Sequence, residues 1–238
     1  MSDLLDLVLK AHGAAHWKRF RTIEGDMSIV GALWARKGWP NALRKVRVTA
    51  DLAQQELSYE PFTAEGLRSS YRPDLVAIDT DDGKRIKQRA NPRDAFAGHT
   101  PATPWDDLHL AYFSGYAMWN YLNAPFLLAM QGFTAEEIEP WIEDHQTWRR
   151  LKVTFPESIA THSREKVFHV DDNGLIARLD YFADVSGGVP SAHYTSDYRD
   201  FEGIKIATRR RAYLRHADGT PIRDMIAVAI DIGNIRFS

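Results

Sequence analysis

Cysteine is absent from the 238 residues, which excludes a disulfide framework, a thiolate-metal site and a cysteine nucleophile together. Any covalent nucleophile must be an oxygen or a nitrogen. A dominant charge sign is missing too: 30 Lys and Arg stand against 32 Asp and Glu. A chain so balanced has no general attraction for a polyanion, so nucleic acid is not expected as a partner. No Pro/Gly/Ser-rich linker interrupts the sequence, and residues 1–238 read as a single domain. There is no Gly-rich phosphate loop, G-x-S-x-G elbow or H-E-x-x-H pair, and nothing implies a cofactor. A basic leader is lacking as well, because Asp3 and Asp6 fall where a secretory signal carries positive charge, so a cytoplasmic location is expected.

What is present begins with an amphipathic helix. Leu4, Leu5, Val8 and Leu9 follow helical spacing, with Ser2 or Asp3 as N-cap. Residues 20–33 and 42–59 then show alternating or short apolar stretches broken by Gly31, Gly38 and Pro40, which is strand and hairpin patterning. Strands are expected again at 67–72 and over 74–90, where Asp82-Gly83 is a tight-turn signal. Residues 93–147 read as an inserted helical region of two to four helices, with Thr134 and Glu137 spaced as a capping box. Six further strands are expected near 149–155, 160–170, 175–185, 191–201, 205–215 and 224–237. The turn compositions between them imply antiparallel neighbours. The expected class is α+β, with one highly curved antiparallel sheet of about ten strands and about four helices.

Leu108 to Phe133 contains no Asp, Glu, Lys or Arg, and 17 of the 24 residues from Leu110 onward are apolar. That length could cross a bilayer. Asn120, Asn123, Pro125 and Gln131 lie within it and no Lys/Arg cluster flanks it, so a transmembrane span is not expected. Pro125 predicts a break between two short helices. Helices apolar on nearly every face need cover on several sides, and the concave side of a curved sheet supplies it. Two readings follow. The helices plug the sheet as core, or they form a lid over a cavity for an apolar ligand. Tyr112, Tyr116, Trp119 and Phe126 are candidate lining residues in the second case.

The order of elements, helix, curved sheet, midway lid helices and more strands, resembles the LolA/LolB-like superfamily of periplasmic lipoprotein carriers, which are half-barrels. "YRPDLVAIDTDDGKRIKQRANP" places Arg72-Pro73, Asp82-Gly83-Lys84 and Asn91-Pro92 in the order of that family's Arg-Pro, Asp-Gly-Lys and Asn-Pro signature. The resemblance implies that Arg72 lies on the sheet and helps to hold the lid closed over a lipid cavity. The chain departs from the exported carriers in showing no leader and no lipobox cysteine.

The second half is rich in ionisable groups. Strand alternation puts His162 with Lys166, Arg178 with Asp180, and His193 with Thr195 on shared faces. Were the three faces aligned, His162, Asp180 and His193 would converge as an acid-base trio, suited to a cofactor-independent isomerase, cyclase or hydratase. The opposite parity, Leu179, Tyr181 and Ala183, joined by Tyr194 and Tyr198, is more apolar and is expected to face the core or cavity. Tyr181 and Tyr194 are therefore candidate ligand contacts. No metal-ligand spacing stands out. In "ATRRRAYLRH", Arg209 and Arg211 face one way and Arg210 the other, so no continuous patch forms; the group is suited to surface pairing with acids, although one inward arginine among them could hold an anionic head group. The expected function is a soluble binding protein for a hydrophobic small molecule, lipid or acyl chain, with the enzyme as its alternative. The sequence does not set the oligomeric state.

Overall fold

The computed structural model describes residues 3–238, so a cap from Ser2 lies outside the described residues. The chain opens with α1 (Asp3–His12) and a short α2 (Ala14–Trp17), followed by β1 (Thr22–Val30) and α3 (Ala32–Arg36). Then come β2 (Val46–Asp51), β3 (Leu57–Glu60), β4 (Leu67–Arg72), β5 (Leu75–Thr80) and β6 (Arg85–Ala90). One long helix, α4 (Asp107–Asn123), separates these from β7 (Thr134–Glu143), β8 (Gln146–Thr154), β9 (Glu165–Val170), β10 (Ile176–Ala183), β11 (Val189–Phe201), β12 (Ile204–Arg215), β13 (Pro221–Ile222) and β14 (Val228–Phe237).

All fourteen strands join one curved, open sheet, in the order β6-β5-β4-β3-β2-β1-β14-β12-β11-β10-β9-β8-β7, with β13 paired to β12. Every pairing between these strands is antiparallel, and most consecutive strands are linked by short turns, the exceptions including β1 to β2 through α3 and β6 to β7 through α4. At Asp82-Gly83, Gly83 has φ +85°, a conformation that side-chain-bearing residues rarely adopt. The α+β class and the antiparallel sheet agree with the sequence reading, whereas the strand count of about ten is too low. The excess comes from splitting residues 42–59 and 74–90 into two strands each, from the minor β13, and from β7.

Strand β7 is the main correction. "TAEEIEPWIE" forms no helix and Thr134 caps none; the segment pairs antiparallel with β8, from Thr134 opposite Thr154 to Glu143 opposite Gln146. Pro140 sits within the register shift between Ile138 and Trp141, where a missing amide proton is tolerated. The expected helical region thus holds one α-helix, with single 3-10 turns at Pro92–Phe96 and Phe126–Ala129. The break at Pro125 is where it was expected. Among the described residues, no helix is long and apolar enough to cross a membrane.

The core lies between the concave face and α4. Every residue of α4 from Leu110 to Asn123 is buried, which accounts for a stretch without charge. Each large apolar side chain so withdrawn contributes roughly 1.5–3 kcal/mol. The apolar face of α1 (Leu4, Leu5, Val8, Leu9) joins the same core and rests on β12 and β8.

Candidate functional site

Helix α4 divides the concave face unequally. Its close backbone contacts are with β3, β4, β5 and β6. The Tyr59 hydroxyl donates to the Ser114 carbonyl at 2.9 Å. A Cβ on Gly115 would stand 2.4 Å from the Tyr71 ring, so glycine is what lets the helix lie this close to β4. The first turn is fastened by charge: Arg89 donates to both Asp106 oxygens at 3.2 and 2.5 Å, and Lys87 to Asp107 at 2.6 Å. The Asp106 carboxylate also accepts the His109 amide at 2.8 Å, completing a helix cap. Although partial burial opposes it, these donors hold the Asp106 carboxyl down at about 2.

The other flank of α4 meets β10 to β12 through side chains, along a seam of buried polar groups. His162, just before β9, is hydrogen-bonded to the Tyr116 hydroxyl at 3.1 Å through Nδ1 and to the Tyr121 hydroxyl at 2.8 Å through Nε2. Its ring stacks on Tyr181 with centroids 4.3 Å apart, and the Tyr121 and Tyr181 hydroxyls are 3.1 Å apart. Burial, helped by the nearby positive charges, pushes His162 well below the ordinary histidine range. A neutral imidazole donates once and accepts once, so one tyrosine gives it a proton and the other takes one.

Three more buried bases share this inner face. Lys166 is fully buried with its ammonium 4.3 Å from the Phe155 ring centre, and burial brings it down to about 7. His193 is fully buried, packs edge-on to Tyr121 at 4.5 Å, and has no hydrogen-bond partner on either ring nitrogen. Arg210 donates from Nη2 to the Tyr121 carbonyl at 3.0 Å, while its Nε has no partner.

Three openings adjoin the seam. An apolar pocket of about 160 Å³ lies at one end, walled by Phe113 of α4, by Tyr181, Ala183, Val189, Ala212 and Leu214 of the sheet, and by Leu33 and Val228. A void of about 20 Å³, room for about one water, lies at the other end between His12, Tyr121, Thr195, Tyr198 and Arg210. A more open polar cleft of about 390 Å³ runs past Arg93, Tyr112 and Asp184.

The acid-base trio expected from sequence is not assembled. His162 and His193 both face the seam, but Asp180 is on the outer face, where it accepts two bonds from Arg178 at 2.6 and 2.8 Å and lies 3.6 Å from His169. The reason is parity: Tyr181, its neighbour, takes the inner position, and alternation sends Asp180 outward. Tyr194 is corrected for the same reason, since inward His193 and Thr195 turn it outward, where its hydroxyl donates to Glu143 at 2.5 Å. Arg72 is exposed, 3.6 Å from Asp74, and makes no bond to α4; Arg89 and Lys87 hold the helix instead. Tyr116 and Trp119 are fully enclosed in the core, the Trp119 indole donating to the Asp51 carbonyl at 2.7 Å, and Phe126 stacks on Trp17 at 4.1 Å. Tyr112 lines the open cleft and Tyr181 the apolar pocket. Sequence reasoning did not single out Lys166 and offered an inward His193 only as part of the trio, because the polar parity of these strands was expected on the solvent side. Among the described residues, no group of three or more histidines and carboxylates is placed to hold a metal ion.

Comparison with known proteins places the architecture. No protein-family model matches the sequence, and no curated protein matches it. Solved structures do. A domain assigned to outer membrane lipoprotein sorting, from Vibrio parahaemolyticus, superposes with a TM-score of 0.54 at 10% identity over 98% of this chain and 92% of that one. A LolA superfamily protein from Nitrosomonas europaea gives 0.52 at 10% identity over 98% and 93%. A DUF1329 family protein from Desulfovibrio piger gives 0.51 at 14% identity over 99% and 92%. The chain therefore has a LolA-like fold, as the resemblance in its sequence implied. The same neighbours overturn the cytoplasmic expectation, because similarity to an outer membrane lipoprotein-sorting domain points away from that compartment. Two aspartates near the start of the chain were too slight a basis for it.

Proposed function

We propose that the protein is a carrier for a hydrophobic small molecule or acyl chain, held in the seam between α4 and the concave face of β10 to β12, with residues 3–238 acting as one unit. The observation that carries this reading is the apolar pocket beside Phe113 and Tyr181, set in a LolA-like fold at the flank of α4 that meets the sheet through side chains of β10 to β12. At about 160 Å³ the pocket is smaller than the roughly 300 Å³ of ordinary ligand sites. A guest would therefore enlarge the pocket by displacing α4 from the Tyr181 side while Gly115 and Tyr59 keep the other flank in place. The acid-base alternative has lost its carboxylate to the outer face and is not pursued.

Native mass spectrometry of freshly purified protein tests the proposal. A retained mass of lipid size, released by organic solvent, is the expected result. Recovery of bare polypeptide only, from protein that also fails to take up a lipophilic fluorophore, would rule the carrier out.

A further inference from the structure

The inner face buries a guanidinium that nothing in the fold neutralises. Arg210 is 7% exposed, and among the described residues its guanidinium has one hydrogen bond, to the Tyr121 carbonyl, and no carboxylate within ion-pairing distance. The groups around it are the phenols of Tyr121, Tyr181 and Tyr198 and the imidazoles of His12 and His193. The hydroxyls of Thr195 and Tyr198 donate their protons to the Ile176 carbonyl. Arg210 Nε and both nitrogens of His193 are left unsatisfied, and Arg210 lines the small void at the inner end of the seam.

Burying an uncompensated charge disfavours folding, and a chain that keeps one has a use for it in another state. The strand register indicates the use. Thr195 is opposite Arg210 and His193 is opposite Ala212, so Arg210 and His193 are diagonal neighbours on one face. Two residues further along the same faces, about 7 Å away, Ala212 on β12 and Ser191 on β11 already line the apolar pocket. A single surface therefore runs from an apolar wall to an unpaired cation with a donor imidazole beside it.

We propose that the guest is an anionic amphiphile, whose carboxylate or phosphate head pairs with Arg210 and accepts a bond from His193, and whose tail lies in the apolar pocket. This rests on the carrier reading and narrows it to a class of ligand. A planar guanidinium with a free edge matches a two-oxygen anion, and the bond is strongest where water is excluded.

Calorimetric titration of the full chain with palmitic acid, hexadecyl phosphate and methyl palmitate tests this, in the wild type and in Arg210→Met and Arg210→Lys. The wild type should prefer an anion to the ester by about tenfold or more, the scale of a charge-assisted pair. Arg210→Met should erase that preference, and Arg210→Lys should keep part of it. The stronger of the two anions distinguishes a free fatty acid from a phosphorylated lipid. Equal affinity of the wild type for acid, phosphate and ester would overturn the anchor while leaving the carrier standing, and so would an anion preference that survives in Arg210→Met. If none of the three binds, the carrier and the anchor fall together. The wild-type comparison needs no variant to fold.

Discussion

Arg178 and Arg210 occupy neighbouring positions in one sheet, with only β11 between their strands, and both are withdrawn from water. Their surroundings are opposite. On the outer face, Arg178 donates to Asp180 through two nitrogens, to Glu143 at 2.6 Å and to the Gly219 carbonyl at 2.6 Å, and Trp141 lies over it. On the inner face, Arg210 has one backbone carbonyl. The first arrangement is complete in the folded chain alone. The second lacks an anion. Burial is thus no measure of role; what separates a structural charge from one kept for a ligand is whether its partners come with the fold.

The sharpest way to break this contrast is a matched pair of substitutions. Arg178→Met takes from Asp180 and Glu143 the buried cation they share, leaving Arg215 3.6 Å from Asp180 and Arg223 2.8 Å from Glu143, and should cost about 3 kcal/mol. Arg210→Met, in the guest-free protein, should range from neutral to about 4 kcal/mol stabilising. Urea denaturation measures both, and equal losses would show that the two arginines do the same work.

Acid should act on the inner face next. His162 and His193 are held neutral by burial, and His12 is brought down to about 4 for the same reason. Above about pH 6.5 neither state takes up these protons. Below it the unfolded chain does and the folded chain does not, so stability falls with pH by up to about 1.4 kcal/mol per unit for each histidine. His193→Phe should make the decline between pH 6.5 and 5 shallower by one proton's worth. An unchanged slope would mean that His193 is protonated or hydrated in the fold.

The smallest effect concerns the helix start. Asp106→Ala removes both the cap and the partner of Arg89, for about 1 kcal/mol. Hydrogen exchange should show the loss confined to the first turn of α4, and protection lost along the whole helix would indicate that the cap governs its docking.

Much of the fold was legible before any coordinates. The strands after Thr147 fell near their observed positions because each is bounded by a turn that only a few residues can make, and Pro125 ended the helix where its ring must. Strand β7 was not legible, for a physical reason. An edge strand needs little apolar surface, so Glu136, Glu137 and Glu139 could stand on it, and glutamates after a threonine imitate a capped helix. The site was only half legible. Apolar parity placed Leu179, Tyr181 and Ala183 inward correctly. It failed for Lys166 and His193, which are buried polar groups, and with them for Tyr194. A rule that sends polar residues to water cannot find a polar group the fold has buried. Alternation separated Arg210 from Arg209 and Arg211 but did not say which side faces inward; its burial and its lack of a partner required the structure.

The fastening of α4 has a last consequence, for the medium around the protein. Its first turn is held by exposed ions at Arg89, Lys87, Asp106 and Asp107, and its middle by the dry contact of Gly115 with Tyr71. Dissolved salt screens the ions within a Debye length of about 8–10 Å, yet sulfate-like salts tighten apolar contact. Brine of the right kind would therefore loosen the tip of the helix while clamping its waist, so two ends of one rigid rod answer to different properties of the same solution.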